Sequence, residues 1–375
     1  MSDRREFLMH AAAGVLAVTS STRASAATKA SAPAGGTAKT PKIANTDLST
    51  SRFGLGGTQL AAWKQGAAVS TEEVAKAARL INTAYENGIT LFDHADLYAF
   101  GNSERVFGEV LKQSPGLRSK IVIQTKCGQR FPDGWGRGKP IRVDLSRENI
   151  VGAAEGSLQR LRTDYLDILL LHTPDALADM DEVARAFDEL HRSGKVRYFG
   201  VSNYAAHQMQ LLQGALTQPL VVNQLHIGLG HVDLLTDGME FPLALTRASS
   251  DSGKYSAVAG AGTVDYCRGR RMQVQAYSPL RGDLLKPRAD ASPRTKRIAQ
   301  QLSDLAAQKN TTPAVIALAW LLRHPAGIVP ILGASNPEHI VENCSALNVT
   351  LSRDEWYDLF ATAADVEGRS SKETS

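Results

Sequence analysis

Three apolar runs in the chain each close on one ionisable residue. The run from Thr90 reaches Asp93, the run from Ile121 reaches Lys126, and the run from Leu166 reaches His172, while Tyr98 lies five residues beyond Asp93. Short β-rich apolar runs between helix-like stretches read as parallel strands of an α/β protein. An ionisable residue at the C-terminal end of such a strand stands where α/β folds build active sites. A carboxylate, an ammonium, a phenol and an imidazole gathered there form a proton-donating site. That points to an enzyme rather than a binding module or a structural protein. Taken singly, Asp93 with Lys126 reads as a structural salt bridge, His172 as a core histidine and Tyr98 as a packing tyrosine. Their joint placement at strand ends carries the catalytic reading. His94 and Asp96 read as bystanders on other faces of the same segment.

The elements that must position these groups alternate along the chain. Strand-like runs cover 52–59, 90–95, 120–128, 165–173, 198–203, 220–225, 273–280 and 327–334. Helix-like stretches cover 71–87, 102–113, 146–161, 181–193, 205–213, 264–270, 293–309 with 313–323, and 337–347. Acidic residues follow Ser70 and Gly88 closes the same stretch, which are helix start and stop signals. Eight strands with intervening helices predict an α/β protein of the (β/α)8 TIM-barrel class, in one domain. The competitor, an open doubly wound sheet, lacks its Gly-x-Gly-x-x-Gly signal, because Gly54–Gly57 lies inside a strand run with the wrong spacing.

The chain has 375 residues, 43% of them hydrophobic and 21% charged, enough for a sizeable core. Its formal charge of +4 and the lack of a basic, aromatic-laced run argue against a nucleic-acid partner. Three cysteines, Cys127, Cys267 and Cys344, have no metal-ligand spacing. Cys127 reads as a buried thiol, and a Cys267–Cys344 disulfide stays open in an oxidising compartment. Arg4-Arg5, a short apolar stretch from Leu8 and the small-x-small site at Ala24–Ala26 resemble a twin-arginine export signal over residues 1–26. The apolar stretch is too short to span a bilayer, which takes roughly 20 residues. The expected organisation is that leader, a flexible linker over 27–42, a barrel over 43–364 and a disordered tail over 365–375. The stretch 241–263 reads as an insertion, either a lid or a loop without function. The expected location is the periplasm or outside the cell, with a cytoplasmic protein as the alternative, and the expected state is a monomer.

At the strand ends the chain resembles the aldo-keto reductase superfamily, from about Arg52 to Phe360. The Asp93-x-x-x-x-Tyr98 element followed by Gly101–Glu104, then Leu169–Pro174, Gly200–Asn203, Val222–Gln224 and Ala276–Leu280, match the family's strand-end motifs in order. The resemblance implies reversible, NAD(P)H-dependent reduction of an aldehyde or ketone, a sugar carbonyl included. The alternative is a catalytically weak cofactor-binding or redox-sensing barrel. Hydride delivery to a carbonyl leaves an alkoxide that needs a proton. Tyrosine ionises near 10, and bringing it about 3 pH units lower takes roughly 4 kcal/mol of phenolate stabilisation, which a nearby ammonium provides. Tyr98 is therefore the expected proton donor, Lys126 the cation beside it, Asp93 the carboxylate that orients Lys126, and His172 the group that hydrogen-bonds the substrate oxygen.

Cofactor roles follow from the resemblance. It implies that Ser202, Asn203 and Gln224 hold the nicotinamide carboxamide, that Tyr277 stacks on its ring, and that Ser278, Leu280 and Gly282 line the diphosphate. At the adenosine end the family's paired cations align with Gly333 and His339, so both strong charges are missing. Ser335, Asn336, Glu342 and Asn343 remain there. The resemblance favours NADP(H) over NAD(H), without a metal, and a small carbonyl or alcohol as substrate.

Overall fold

The computed structural model describes residues 41–131, 141–236 and 262–364. The leader, nearly all of the linker, Trp135, most of the 241–263 insertion and the 365–375 tail lie outside the described residues.

Eight parallel strands close into a barrel in sequential order: β1 Gly54–Gly56, β2 Leu91–Asp93, β3 Val122–Cys127, β4 Leu166–Leu171, β5 Val196–Ser202, β6 Leu220–His226, β7 Gln273–Tyr277 and β8 Val329–Leu332. Among the described residues, the α-helices of seven residues or more are α1 Thr71–Glu86, α2 Asn102–Gln113, α3 Arg147–Leu161, α4 Met180–Arg192, α5 Ala206–Ala215, α6 Thr263–Gly269, α7 Pro293–Gln308, α8 Pro313–Leu322, α9 Pro337–Cys344 and α10 Arg353–Ala363. This is the (β/α)8 barrel that the alternation of strand-like and helix-like runs predicts. All three cysteines are free thiols, so Cys267 and Cys344 are not bridged.

Local chemistry explains the helix starts. Ser70 and Glu73 cap α1 reciprocally, each side chain accepting from the other's backbone N–H. Helices α7, α8 and α9 each open with proline at the first position, behind the caps Ser292, Thr312 and Asn336. Helix α10 carries the same reciprocal cap in Ser352 and Glu355, a signal that the sequence reading passed over.

Side chains alternate along each strand, so one strand feeds two cores. Phe92, Ile123, Leu169 and Leu171 join the cluster between barrel and helices, with Phe107, Phe187, Phe199 and Trp320. Leu91, Val122, Ile168, Leu170, Val222, Val329 and Ile331 fill the barrel interior. Ile43 and Leu48, on a small hairpin closed by the Lys42–Ser49 bridge, join that inner core. Higher in the barrel the inward series turns polar. In β3 it reads Val122, Gln124, Lys126, and in β7 it reads Gln273, Gln275, Tyr277. The apolar base and the polar top therefore come from a single period-two pattern.

Candidate active site

The inward-facing ends of β2, β3 and β4 meet at the barrel mouth. Asp93 is the last residue of β2 and Lys126 the penultimate residue of β3, while His172 follows β4 directly, its backbone N–H donating to Cys127 at 2.9 Å. Lys126 Nζ donates to both Asp93 oxygens, at 2.8 and 2.7 Å, and to the His94 carbonyl at 2.8 Å. Its remaining neighbour is the Tyr98 hydroxyl, 3.3 Å away. The Tyr98 and His172 rings meet edge to face with centroids 6.0 Å apart. All four expected catalytic residues therefore converge.

Asp93 also accepts from Gln124 at 2.7 Å and from Gln224 at 3.0 Å. Gln275 links those two amides, accepting from Gln124 at 2.8 Å and from Gln224 at 3.0 Å. Every member is buried, so the low dielectric strengthens a network whose members hold one another. Gln124 and Gln275 were missed in the sequence, although each lies two residues before an inward-facing site residue. Gln224, expected at the nicotinamide carboxamide, points its amide N–H groups down into this layer.

Burial acts on each titratable group. It raises the Tyr98 phenol, while Lys126, through charge and hydrogen bond, and a hydrogen bond with Thr58 pull it back. The net direction is upward, not downward as the sequence reading expected, so the phenol stands protonated at neutral pH. Burial alone would lower Lys126, but Asp93 and Tyr98 turn the net direction upward. Burial, reinforced by the Lys126 charge, holds His172 well below the usual histidine range. Its imidazole is neutral, with Nδ1 buried and unpartnered. The site thus presents a fixed cation, a protonated phenol and a neutral imidazole.

The neighbouring rim carries most of the residues expected to meet the nicotinamide. Ser202 ends β5, and its hydroxyl donates to the Gln224 carbonyl at 2.9 Å. Asn203 sits at φ 64°, donates to the His172 carbonyl at 3.1 Å and accepts from the Tyr277 hydroxyl at 3.0 Å. Tyr277 ends β7 and stacks with His226, centroids 4.9 Å apart and planes 13° from parallel. Ser278 follows at φ 47°. Left-handed backbone at two non-glycine residues marks strain that the surroundings must hold in place. Leu280 lies on the loop beyond, packed against the outer core, and the exposed Gly282 opens a one-turn helix, Gly282–Leu285.

The adenosine-end residues lie just before α9 and along its length. Gly333 is exposed, with open space where a side chain would project. His339 is exposed, Ser335 and Glu342 are half-buried, and Asn343 is buried. Asn336 caps the helix by accepting from the Glu338 N–H at 3.0 Å.

An aromatic wall flanks the mouth. Trp63 lies 6.3 Å from Tyr98 and 6.2 Å from Phe100 between centroids, and Phe100 lies 4.9 Å from Phe131.

Comparison with known proteins agrees with this geometry. Residues 52–236 and 240–362 match the model of the Aldo/keto reductase family. The chain is 35% identical over 284 residues to an uncharacterized oxidoreductase, YcsN, of Bacillus subtilis, covering 75% of this chain and 86% of that one. It is 36% identical over 290 residues to a 6-dehydroglucose reductase of Agrobacterium fabrum, covering 76% and 87%. Among solved structures it resembles an aldo/keto reductase from Klebsiella pneumoniae in complex with NADP and acetate, with a TM-score of 0.59 and 26% identity over 84% of this chain and 92% of that one. With a matching family model over most of its length, relatives above 30% identity and a closed eight-stranded barrel, the chain belongs to the aldo/keto reductase family.

Proposed function

We propose that the protein is an NAD(P)H-dependent reductase that reversibly converts an aldehyde or ketone, a sugar carbonyl among the candidates, to an alcohol. The observation that carries this reading is the Tyr98 hydroxyl 3.3 Å from an ammonium that Asp93 grips with both oxygens. A bound reduced nicotinamide supplies the hydride. Tyr98 delivers the proton to the developing alkoxide, and Lys126 stabilises the phenolate left behind. Asp93 keeps Lys126 charged and aimed, with Gln124 and Gln224 fixing the carboxylate. His172, neutral, donates to the substrate oxygen and sets its approach to Tyr98.

The donor set fits the cofactor's nicotinamide end. Ser202 and Asn203 offer hydroxyl and amide groups side by side at the end of β5, and Tyr277 offers a ring that His226 and Asn203 orient. The similarity to a 6-dehydroglucose reductase supports a sugar-derived carbonyl, and the aromatic wall of Trp63, Phe100 and Phe131 suits the apolar face of a sugar ring.

The test is carbonyl-dependent oxidation of NADH and NADPH across aldehydes, ketones and oxidised sugars, beside quenching of protein fluorescence by each coenzyme. Turnover with any of them is expected. Quenching without turnover would favour the cofactor-sensing alternative.

NADP(H) is the preferred coenzyme in this reading, supported by the NADP-bound relative. Because Gly333 and His339 stand where paired cations would be expected, the preference is weak. Gly333→Lys with His339→Arg should raise the NADPH/NADH ratio of kcat/KM by about tenfold or more, as charge-assisted pairs to a phosphate do. An unchanged ratio would place the 2′-phosphate elsewhere. The Arg4-Arg5 leader belongs to the same proposal: the protein is exported as a folded monomer, and Arg4→Lys with Arg5→Lys retains it in the cytoplasm, uncleaved. Finding the wild type in the cytoplasm with its first 26 residues intact would remove export from the proposal.

A further inference from the structure

The backbone that carries Tyr98 is costly. Ala99 and Phe100 stand at φ 50° and 58°, followed by Gly101 at φ 86°. Two successive residues with a Cβ rarely hold the left-handed region, and such a turn persists only where its surroundings over-determine it. Two of its backbone hydrogen bonds are local: Tyr98 N–H donates to Ala95 and Phe100 N–H to Leu97. Something outside the turn must hold it.

Gly101 lies against Arg160 of α3, and a Cβ there would stand 2.9 Å from Arg160 Cδ. Arg160 Nε donates to Glu104 at 2.6 Å, and Nη2 donates to Ser157 at 3.1 Å. Glu104 is in the first turn of α2 and fully buried. Its other oxygen accepts from the Thr125 hydroxyl at 2.6 Å. Thr125 immediately precedes Lys126 on β3 and therefore faces the opposite side of the strand. One carboxylate thus joins the turn bearing Tyr98 to the strand bearing Lys126.

We infer that Glu104, through Arg160 and Thr125, is a positioning residue that sets the separation between the Tyr98 hydroxyl and the Lys126 ammonium. The inference rests on the reading of Tyr98 as proton donor. It differs from a purely structural role, in which the Glu104–Arg160 pair only docks α2 on α3. Misplacing a catalytic group by about 1 Å costs on the order of 10²-fold in rate.

The experiment compares Glu104→Gln, the double variant Glu104→Leu with Arg160→Met, and Thr125→Val. Each is read for melting temperature, coenzyme affinity by fluorescence quenching, kcat and KM, with a crystal structure of at least one variant that folds. In Glu104→Gln, kcat should fall by about 10²-fold while KM and coenzyme affinity hold within about twofold. The double variant replaces a buried ion pair with apolar groups, which restores stability, yet its kcat should stay low. Thr125→Val leaves the ion pair intact and should lower kcat by less. Recovery of kcat together with melting temperature in the double variant would overturn the inference. So would a variant crystal structure in which the 98–101 turn and the 3.3 Å separation are unchanged. If the wild type reduces no carbonyl with either coenzyme, the functional reading fails and that separation alone decides the brace.

Discussion

The mouth and the foot of the barrel each bury an aspartate against cations, and the two differ in kind. At the mouth Asp93 holds Lys126, with Gln124 and Gln224 as further donors. Toward the foot Asp167 of β4 holds two arginines, Arg118 at 2.9 Å and Arg197 at 2.7 Å, and accepts from the Ile123 N–H at 2.9 Å. The foot network is closed: Arg197 continues to Asp47, which also accepts from Tyr198 at 2.7 Å. Guanidinium groups stay charged and spread their donors over fixed planar partners, which suits a brace. At the mouth a compact ammonium, saturated on one side by Asp93, presents its charge to a phenol on the other. Similar electrostatics build an anchor at one end and, in the proposed reaction, a proton-transfer site at the other, and the identity of the cation separates them.

The largest effect should come from cutting the mouth. Tyr98→Phe deletes the hydroxyl and keeps the ring against Trp63 and His172. Carbonyl reduction should fall by ~10²–10⁴-fold, with coenzyme quenching and melting temperature near wild type. Near-normal turnover in the folded variant would mean that another acid serves the reaction.

Cutting the foot should do the reverse. Asp167→Asn leaves two arginines facing a neutral amide, and breaking a buried pair costs several kcal/mol. Arg197 is 34% exposed, so a loss of about 3 kcal/mol in unfolding free energy, the low end for such pairs, is expected. The kcat of the folded fraction should stay within about threefold of wild type, as for a change outside the reacting groups. A variant of wild-type stability with lost activity would erase the division between anchor and site.

How far the chain could be read follows from the same contrast. Asp93, Lys126 and His172 were legible because a charge ending an apolar strand has few structural uses. Gln124 and Gln275 obey the same period-two rule, yet a neutral amide inside a strand run does not stand out. Glu104 sits in a motif that the sequence reading quoted, but its partner Arg160 is 56 residues away, and no local pattern pairs them. The first strand is shorter than expected, because a three-residue turn of 3-10 helix takes over at Gly57, where a side chain would strike His94 at 2.5 Å. The direction of the Tyr98 shift was misjudged because burial is a tertiary property, and here it outweighs the Lys126 charge.

A half-buried carboxylate beside the site sharpens the comparison, because it lacks what Asp93 and Asp167 have. Asp96, between Asp93 and Tyr98, has one side-chain oxygen buried and unpartnered. Burial and the neighbouring Glu104 charge push it up to about 7, with Arg160, a hydrogen bond accepted from the Leu97 backbone N–H and Lys126 opposing. The sign of its effect on stability follows from the raised value. Below pH ~4 both folded and unfolded chains hold the proton, and this contribution is fully present. Between ~4 and ~7 only the folded chain holds it, so stability falls as pH rises, and above ~7 the loss is complete. From pH 6 to 8 the remaining part of that loss is about 1 kcal/mol, discounted for partial exposure. Asp96→Asn keeps the shape and removes the titration. The difference in unfolding free energy between variant and wild type should therefore grow in the variant's favour from pH 6 to 8 by about that amount, measured by urea unfolding at both values. A difference that stays constant across the range would mean that Asp96 is ionised throughout, held by the Arg160 and Lys126 charges.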